Sequence, residues 1–190
     1  MHTLPSPVRI RPMRLDDIDQ VILIDRLSFS LPWPASAFRH ELVSNPSSLL
    51  WVAELDLLDG SPFVVGAVIV WMILDEAHIA TLAVHPDYRR RGISQQMLVV
   101  VLLQAIERGA ALATLEVRAN NLAAQALYKR FKFEIVGRRP RYYQDNMEDA
   151  LIMTANFSQP LSAGLSYLAW LKSNPASNPS ENPEEVRFER

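Results

Sequence analysis

The feature that most constrains this chain is a junction. An apolar run from Ile79 to Val84 gives way to HPDYRRRGISQQML, where one glycine, Gly92, precedes a long helical stretch. An apolar strand followed at once by a long helix requires a sheet with that helix laid across it. The spacing predicts the helix over Arg91 to Arg108, with Ile93, Met97, Val100 and Val101 on one face and Gly109 as its C-cap. Its amino end suits an anion, because the first amides have no intrahelical acceptor and carry about half a positive charge. Gly92 allows a phosphate to approach the backbone closely. Arg89, Arg90 and Arg91 oppose the helix dipole there, a placement that makes sense when an anion sits among them.

The flanking sequence supplies the rest of the sheet. Val8 to Met13 reads as a first strand, and Asp16 and Asp17, expected to cap or be solvated, precede a helix with Ile18, Val21, Ile22 and Ile24 at helical spacing. FSLPWP, Phe29 to Pro34, must be a loop because its prolines lack amide hydrogens, and a second helix is expected from Ala35 to Val43. Leu49 to Leu55 and Phe63 to Leu74 form a hairpin about the turn LDGS, with Ala77 to Val84 as the next strand. Thr114 to Val117 is a short strand. A helix capped by Asn120 or Asn121 then carries Ala124, Leu127, Tyr128 and Phe131 inward, before strands at Phe133 to Val136 and Ala150 to Thr154. This order implies an α/β (α+β mixed sheet) fold with helices on both faces. Beyond it, Leu161, Leu165 and Leu168 suit one short helix, and Asn174 to Arg190 has the composition of a disordered tail. Residues 1–157 are therefore expected to be the folded domain and 158–190 a solvated appendage whose removal leaves turnover nearly intact.

Composition narrows the chemistry. Nineteen Lys and Arg against 21 Asp and Glu give a net charge of -2, so no global positive field draws the chain to nucleic acid. The chain has no Cys, which excludes disulfides and thiolate chemistry and points to the cytoplasm. No apolar run approaches the roughly 20 residues that span a bilayer, so no membrane role is expected. The four His show no metal spacing, and neither GxxxxGK nor GxGxxG occurs.

The phosphate-loop candidate, Arg89, Arg90, Arg91, Gly92, Ile93, Ser94, resembles motif A of the GNAT acetyltransferases. A second block, LEVRANNLAAQALYKRFKF, is similar to the segment LEVRxSNxxAxxLYxxxGF of that family, closest to the RimI type of protein N-terminal acetyltransferase. The likeness runs on through Gly137, Arg138, Tyr142, Tyr143, Glu148, Asp149, Ala150 and Met153. Ser94 stands where Gly or Ala is usual, Lys132 where Gly is common, and four residues separate Tyr143 from Glu148, a short loop.

The resemblance implies a central, mostly antiparallel seven-stranded sheet with a bulged fourth strand. It implies acetyl-CoA as cosubstrate, without metal, held by Leu82, Ala83, Val84, Arg89, Arg90, Arg91, Gly92, Ile93, Ser94, Gln95, Asn121 and Tyr128. Glu116 would be the general base and Tyr128 the general acid. Trp33, Tyr142 and Tyr143 would wall a slot for the acceptor, a protein N-terminus, and specifically the N-terminal alanine of a small-subunit ribosomal protein. A monomer or weak dimer is expected. A family member acting on lysine or a small amine, or a non-catalytic CoA-binding module, is an alternative; the module predicts loss of the base or the acid.

Overall fold

The computed structural model describes residues 8–158 and 167–173. Its strands are β1 (Arg9–Pro12), β2 (Ser48–Asp56), β3 (Pro62–Ile73), β4 (Glu76–Val84), β5 (Leu112–Arg118), β6 (Glu134–Tyr143) and β7 (Glu148–Asn156). Its helices are α1 (Ile18–Ser28), α2 (Ala35–Ser44), α3 (Ile93–Glu107), α4 (Leu122–Arg130) and α5 (Tyr167–Ser173).

The strands join in one sheet of seven, ordered β1-β2-β3-β4-β5-β7-β6. Every pairing is antiparallel except β4 with β5. The helices cover both faces, as the order of elements requires. Along β2, Trp51, Ala53 and Leu55 face the core shared with α3, while Leu50 and Val52 face the core shared with α1 and α2. This period of two explains why β2 and β3 read as continuous apolar runs: both faces are buried. The fourth strand is bulged as expected, its register against β3 slipping where Val70 pairs Ile79 and Ile69 pairs Thr81.

The sequence underestimates β6, which continues through Gly137 and Pro140 to Tyr143. As an edge strand it leaves one row of amides unpaired, so it tolerates proline and a polar sequence. Its register breaks between Arg139 and Tyr143, where Arg141 adopts a φ of 53°.

Both α3 and α4 end in the same reciprocal hydrogen-bond pattern. After α3, Ala110 N donates to Ala105 O at 2.9 Å and Gly109 N to Ile106 O at 2.9 Å. After α4, Phe133 N donates to Tyr128 O at 3.1 Å and Lys132 N to Lys129 O at 3.0 Å. The motif needs a left-handed residue, supplied by Gly109 with φ 93° and by Lys132 with φ 62°.

Two further features depart from expectation. Asp17 does accept a hydrogen bond from Arg14 N at 2.7 Å, but it is buried in an ion network with Arg11 and Glu54 that fastens β1 to β2. Helix α5 is not solvated throughout. Tyr167 is fully buried, its ring packs tilted against Phe157 with centroids 4.6 Å apart, and it donates its hydroxyl hydrogen to Phe131 O at 2.8 Å. Leu161, Leu165 and the tail from Asn174 lie outside the described residues.

Candidate active site

Strands β4 and β5 pair only over Glu76 to His78 against Leu112 to Thr114. Beyond that they part, and a cavity of about 610 Å³ opens, lined by Leu82 of β4, Glu116 of β5, Asn121 at the N-cap of α4 and Tyr128 within it. Trp33, Tyr142 and Tyr143 line it too, so both aromatic segments anticipated from the sequence reach the same cleft. A smaller concavity of about 160 Å³ lies at the head of α3, bordered by Val84, Arg89, Arg90, Gly92, Ile93, Ser94 and Gln95. Ala83 and Arg91 line neither: Ala83 is buried against the α1 and α2 side, and Arg91 donates to Asp87 O at 3.2 Å.

The α3 head is shaped for an anion. Gly92 is the N-cap with φ 79°, and no side chain caps the helix. The amides of Ile93 and Ser94, as the first two of the helix, have no intrahelical acceptor, whereas Gln95 N turns back to Gly92 O at 3.0 Å. Arg90 also takes a left-handed φ of 66°. Arg89 instead serves the frame, its Nε donating to Val84 O at 2.9 Å and its Nη2 to Ser28 Oγ at 3.0 Å.

Within the cleft, Glu116 is held from two sides. Its Oε2 lies 3.2 Å from His78 Nε2 and its Oε1 3.2 Å from Arg139 Nη2, and its side chain is only 13% exposed. His78 stacks at 13° on Trp71, which stacks at 21° on Trp33, so an aromatic ladder runs from the FSLPWP loop to the carboxylate. Trp71 is fixed by its Nε1 donating to Glu41 at 2.9 Å. The loop is pinned by Trp33 N donating to Asp25 Oδ2 at 2.7 Å. Tyr128 is buried, and burial raises its phenol above the ordinary range. Tyr143 is pushed up to about 12, chiefly by burial. Both stay protonated donors near neutrality. Asn121 caps α4, its Oδ1 accepting from Ala124 N at 3.1 Å, and lines the cleft as well.

Sequence reasoning missed His78, Trp71, Thr81, Arg118 and Arg139. Each becomes a site residue only through the β4–β5 splay, the β3–β4 register that sets Trp71 beside His78, or the path of β6, which no local pattern encodes. Thr81 carries the clearest mark of a ligand site: it lines the cleft, and its Oγ1 is buried without a partner. That orphan hydroxyl and the uncapped amides of α3 fit a long ligand bearing amides at one end and phosphates at the other. Among the described residues, no group of three or more His, Asp or Glu could hold a metal ion, and no helix is long and apolar enough to cross a membrane.

Comparison with known proteins agrees with this geometry. Residues 18–133 match the model of the Acetyltransferase (GNAT) family. A Bacillus subtilis protein provisionally named a ribosomal protein bS18-alanine N-acetyltransferase is 37% identical over 156 residues, 82% of this chain and 100% of that one. The Escherichia coli protein of that name is 41% identical over 92 residues, 47% of this chain and 62% of its own length. The crystal structure of the Escherichia coli ribosomal-protein-S18-alanine N-acetyltransferase superposes with a TM-score of 0.69 at 30% identity, covering 80% of this chain and 95% of that one. The chain therefore belongs to the GNAT acetyltransferase family and is an acetyl-CoA-dependent N-acetyltransferase.

Proposed function

We propose that this enzyme acetylates the α-amine of an N-terminal alanine on a small-subunit ribosomal protein in the cytoplasm, with Glu116 as general base and Tyr128 as general acid. The observation that carries the reading is that Glu116 and Tyr128 open into one cleft with Trp33, Tyr142 and Tyr143. The names of the Bacillus subtilis and Escherichia coli relatives support the acceptor.

Acetyl-CoA supplies an activated thioester. The head of α3, through Gly92, Ile93 and Ser94, would hold its pyrophosphate, and Thr81 and the bulged part of β4 its amide-bearing arm. An α-amine has a pKa of about 7.7 to 8.0, so most of it is protonated at neutral pH and cannot attack. Glu116 removes that proton, directly or through one water, while His78 and Arg139 fix the orientation of its carboxylate. Backbone amides freed where β4 leaves β5 polarise the carbonyl as negative charge develops on its oxygen. As the carbon–sulfur bond breaks, Tyr128, kept as a phenol by burial, donates a proton to the departing sulfur, and its phenolate takes up the second proton shed by the nitrogen, directly or through water.

The test is CoA release with three amines: an Ala-initiated ribosomal peptide, the same peptide N-terminally blocked but carrying a free lysine, and spermidine. Selective turnover of the free alanine terminus is expected. Turnover of lysine or spermidine instead discards the acceptor, and acetyl-CoA binding without turnover discards the enzyme roles. Glu116→Gln and Tyr128→Phe should each lower kcat/KM by about 10²- to 10⁴-fold. Full activity in the double variant would remove both residues from the mechanism.

A further inference from the structure

Arg118 lies two residues beyond Glu116 on β5, on the same face of the strand, where β5 has already left β4. Its guanidinium bonds to four side chains at once. Nη2 donates to Ser30 Oγ at 2.9 Å and to Asp145 Oδ1 and Oδ2 at 3.0 and 2.8 Å. Nη1 donates to Asn146 Oδ1 at 3.1 Å and Glu148 Oε2 at 3.2 Å. The same group lies 3.9 Å from the centre of the Tyr143 ring. Ser30 closes the circuit, its Oγ donating to Asp145 Oδ2 at 2.5 Å.

The segments so joined are the two aromatic walls of the cleft. Ser30 belongs to the loop that carries Trp33, and Asp145 belongs to the turn that follows Tyr143. They lie 115 residues apart in the chain. We infer that Arg118 and Asp145 form a clasp between the two walls of the acceptor slot, making Arg118 a positioning residue for the acceptor peptide. The inference rests on reading this cleft as the acceptor site. Stability alone does not account for the arrangement. The Arg118 and Asp145 side chains are 25% and 21% exposed, so water partly screens the pair, and neither residue belongs to a hydrophobic core. A planar fork with several donors fixes directions as well as distance, which is what loops on a binding cleft require. Holding both walls in register means the peptide does not have to order them on binding.

The clasp is tested by steady-state kinetics of Asp145→Ala and Asp145→Asn, the asparagine variant keeping the shape of the side chain. The expected result is a rise in peptide KM of about tenfold, with kcat and the KM for acetyl-CoA within about twofold of the parent and an unchanged melting temperature. Asp145→Glu should recover part of the loss, and adding Ser30→Ala to Asp145→Ala should add little, because one clasp is broken once. An unchanged peptide KM in both variants, or a parallel rise in the KM for acetyl-CoA, would overturn the inference. The ratio of variant to parent is taken on whichever amine of the panel the parent acetylates. A wrong acceptor is therefore seen in the parent, and a wrong clasp only in the variants.

Discussion

At the scale of single residues, Lys132 shows how a sequence anomaly becomes a physical quantity. It occupies the left-handed position that Gly109 fills at the end of α3, and a side chain there costs roughly 1–2 kcal/mol. Two effects offset part of that cost. Its ammonium lies 5.4 Å from the centre of the Trp170 ring, worth about 0.5–1 kcal/mol, and it sits at a helix C-terminus that favours cations. Lys132→Ala keeps the strain and loses the compensation, so it should destabilise by about 1 kcal/mol, whereas Lys132→Gly trades one for the other and should leave stability unchanged or slightly raised. Urea unfolding of both variants decides this; equal midpoints would contradict it. The departure from the family's glycine was legible in the sequence. The ring that compensates for it was not, because Trp170 reaches Lys132 only through the docking of α5.

At the scale of elements, α5 divides the region past residue 157. Tyr167 is fully buried, and Phe131, the residue whose carbonyl it satisfies, is only 1% exposed. Removing residues 159–190 strips that cover and should lower the melting temperature by roughly 5–10 °C, from about 2–3 kcal/mol of lost burial at about 2–4 °C per kcal/mol. Removing only 174–190 should leave it unchanged. Thermal denaturation of the two truncations separates them, and identical melting curves would show that α5 contributes nothing. The α3 junction stands at the other extreme, since Gly92, the helix after it and the Gly109 cap were all readable. Their signals are local: a glycine where φ must be positive, apolar periodicity, and a capping residue. Strand β6 was half readable because an edge strand need not be apolar.

At the scale of the whole molecule, the sheet is closed at one edge by charge and opened near its middle by splay. Burial raises the carboxyls of Asp17 and Glu54, but hydrogen bonds from Arg11, joined at Glu54 by Arg9, outweigh it and leave both below their usual range. Folded values below unfolded ones mean the stabilisation is complete above the ordinary carboxylate range near pH 4 and fades as pH falls through the folded values. Asp17→Asn, which leaves Arg11 short of a buried partner, should cost about 3 kcal/mol at pH 7 and flatten the acid limb of the stability profile. If urea midpoints at pH 7 and pH 3 differ as much in the variant as in the parent, the network does not govern acid unfolding. The sequence by itself determined the alternation of strands and helices and the family, with the glycine-headed start of α3 as the proposed phosphate loop and Glu116 and Tyr128 as candidates, because each is written in residues adjacent along the chain. Only the tertiary structure decided that β4 and β5 part after His78 and that His78 and Arg139 hold Glu116. The joining of Ser30, Arg118 and Asp145 across the cleft was decided there too. Those relations span residues far apart in sequence, and they follow from strand register and sheet curl, which depend on how the whole chain packs rather than on any local pattern.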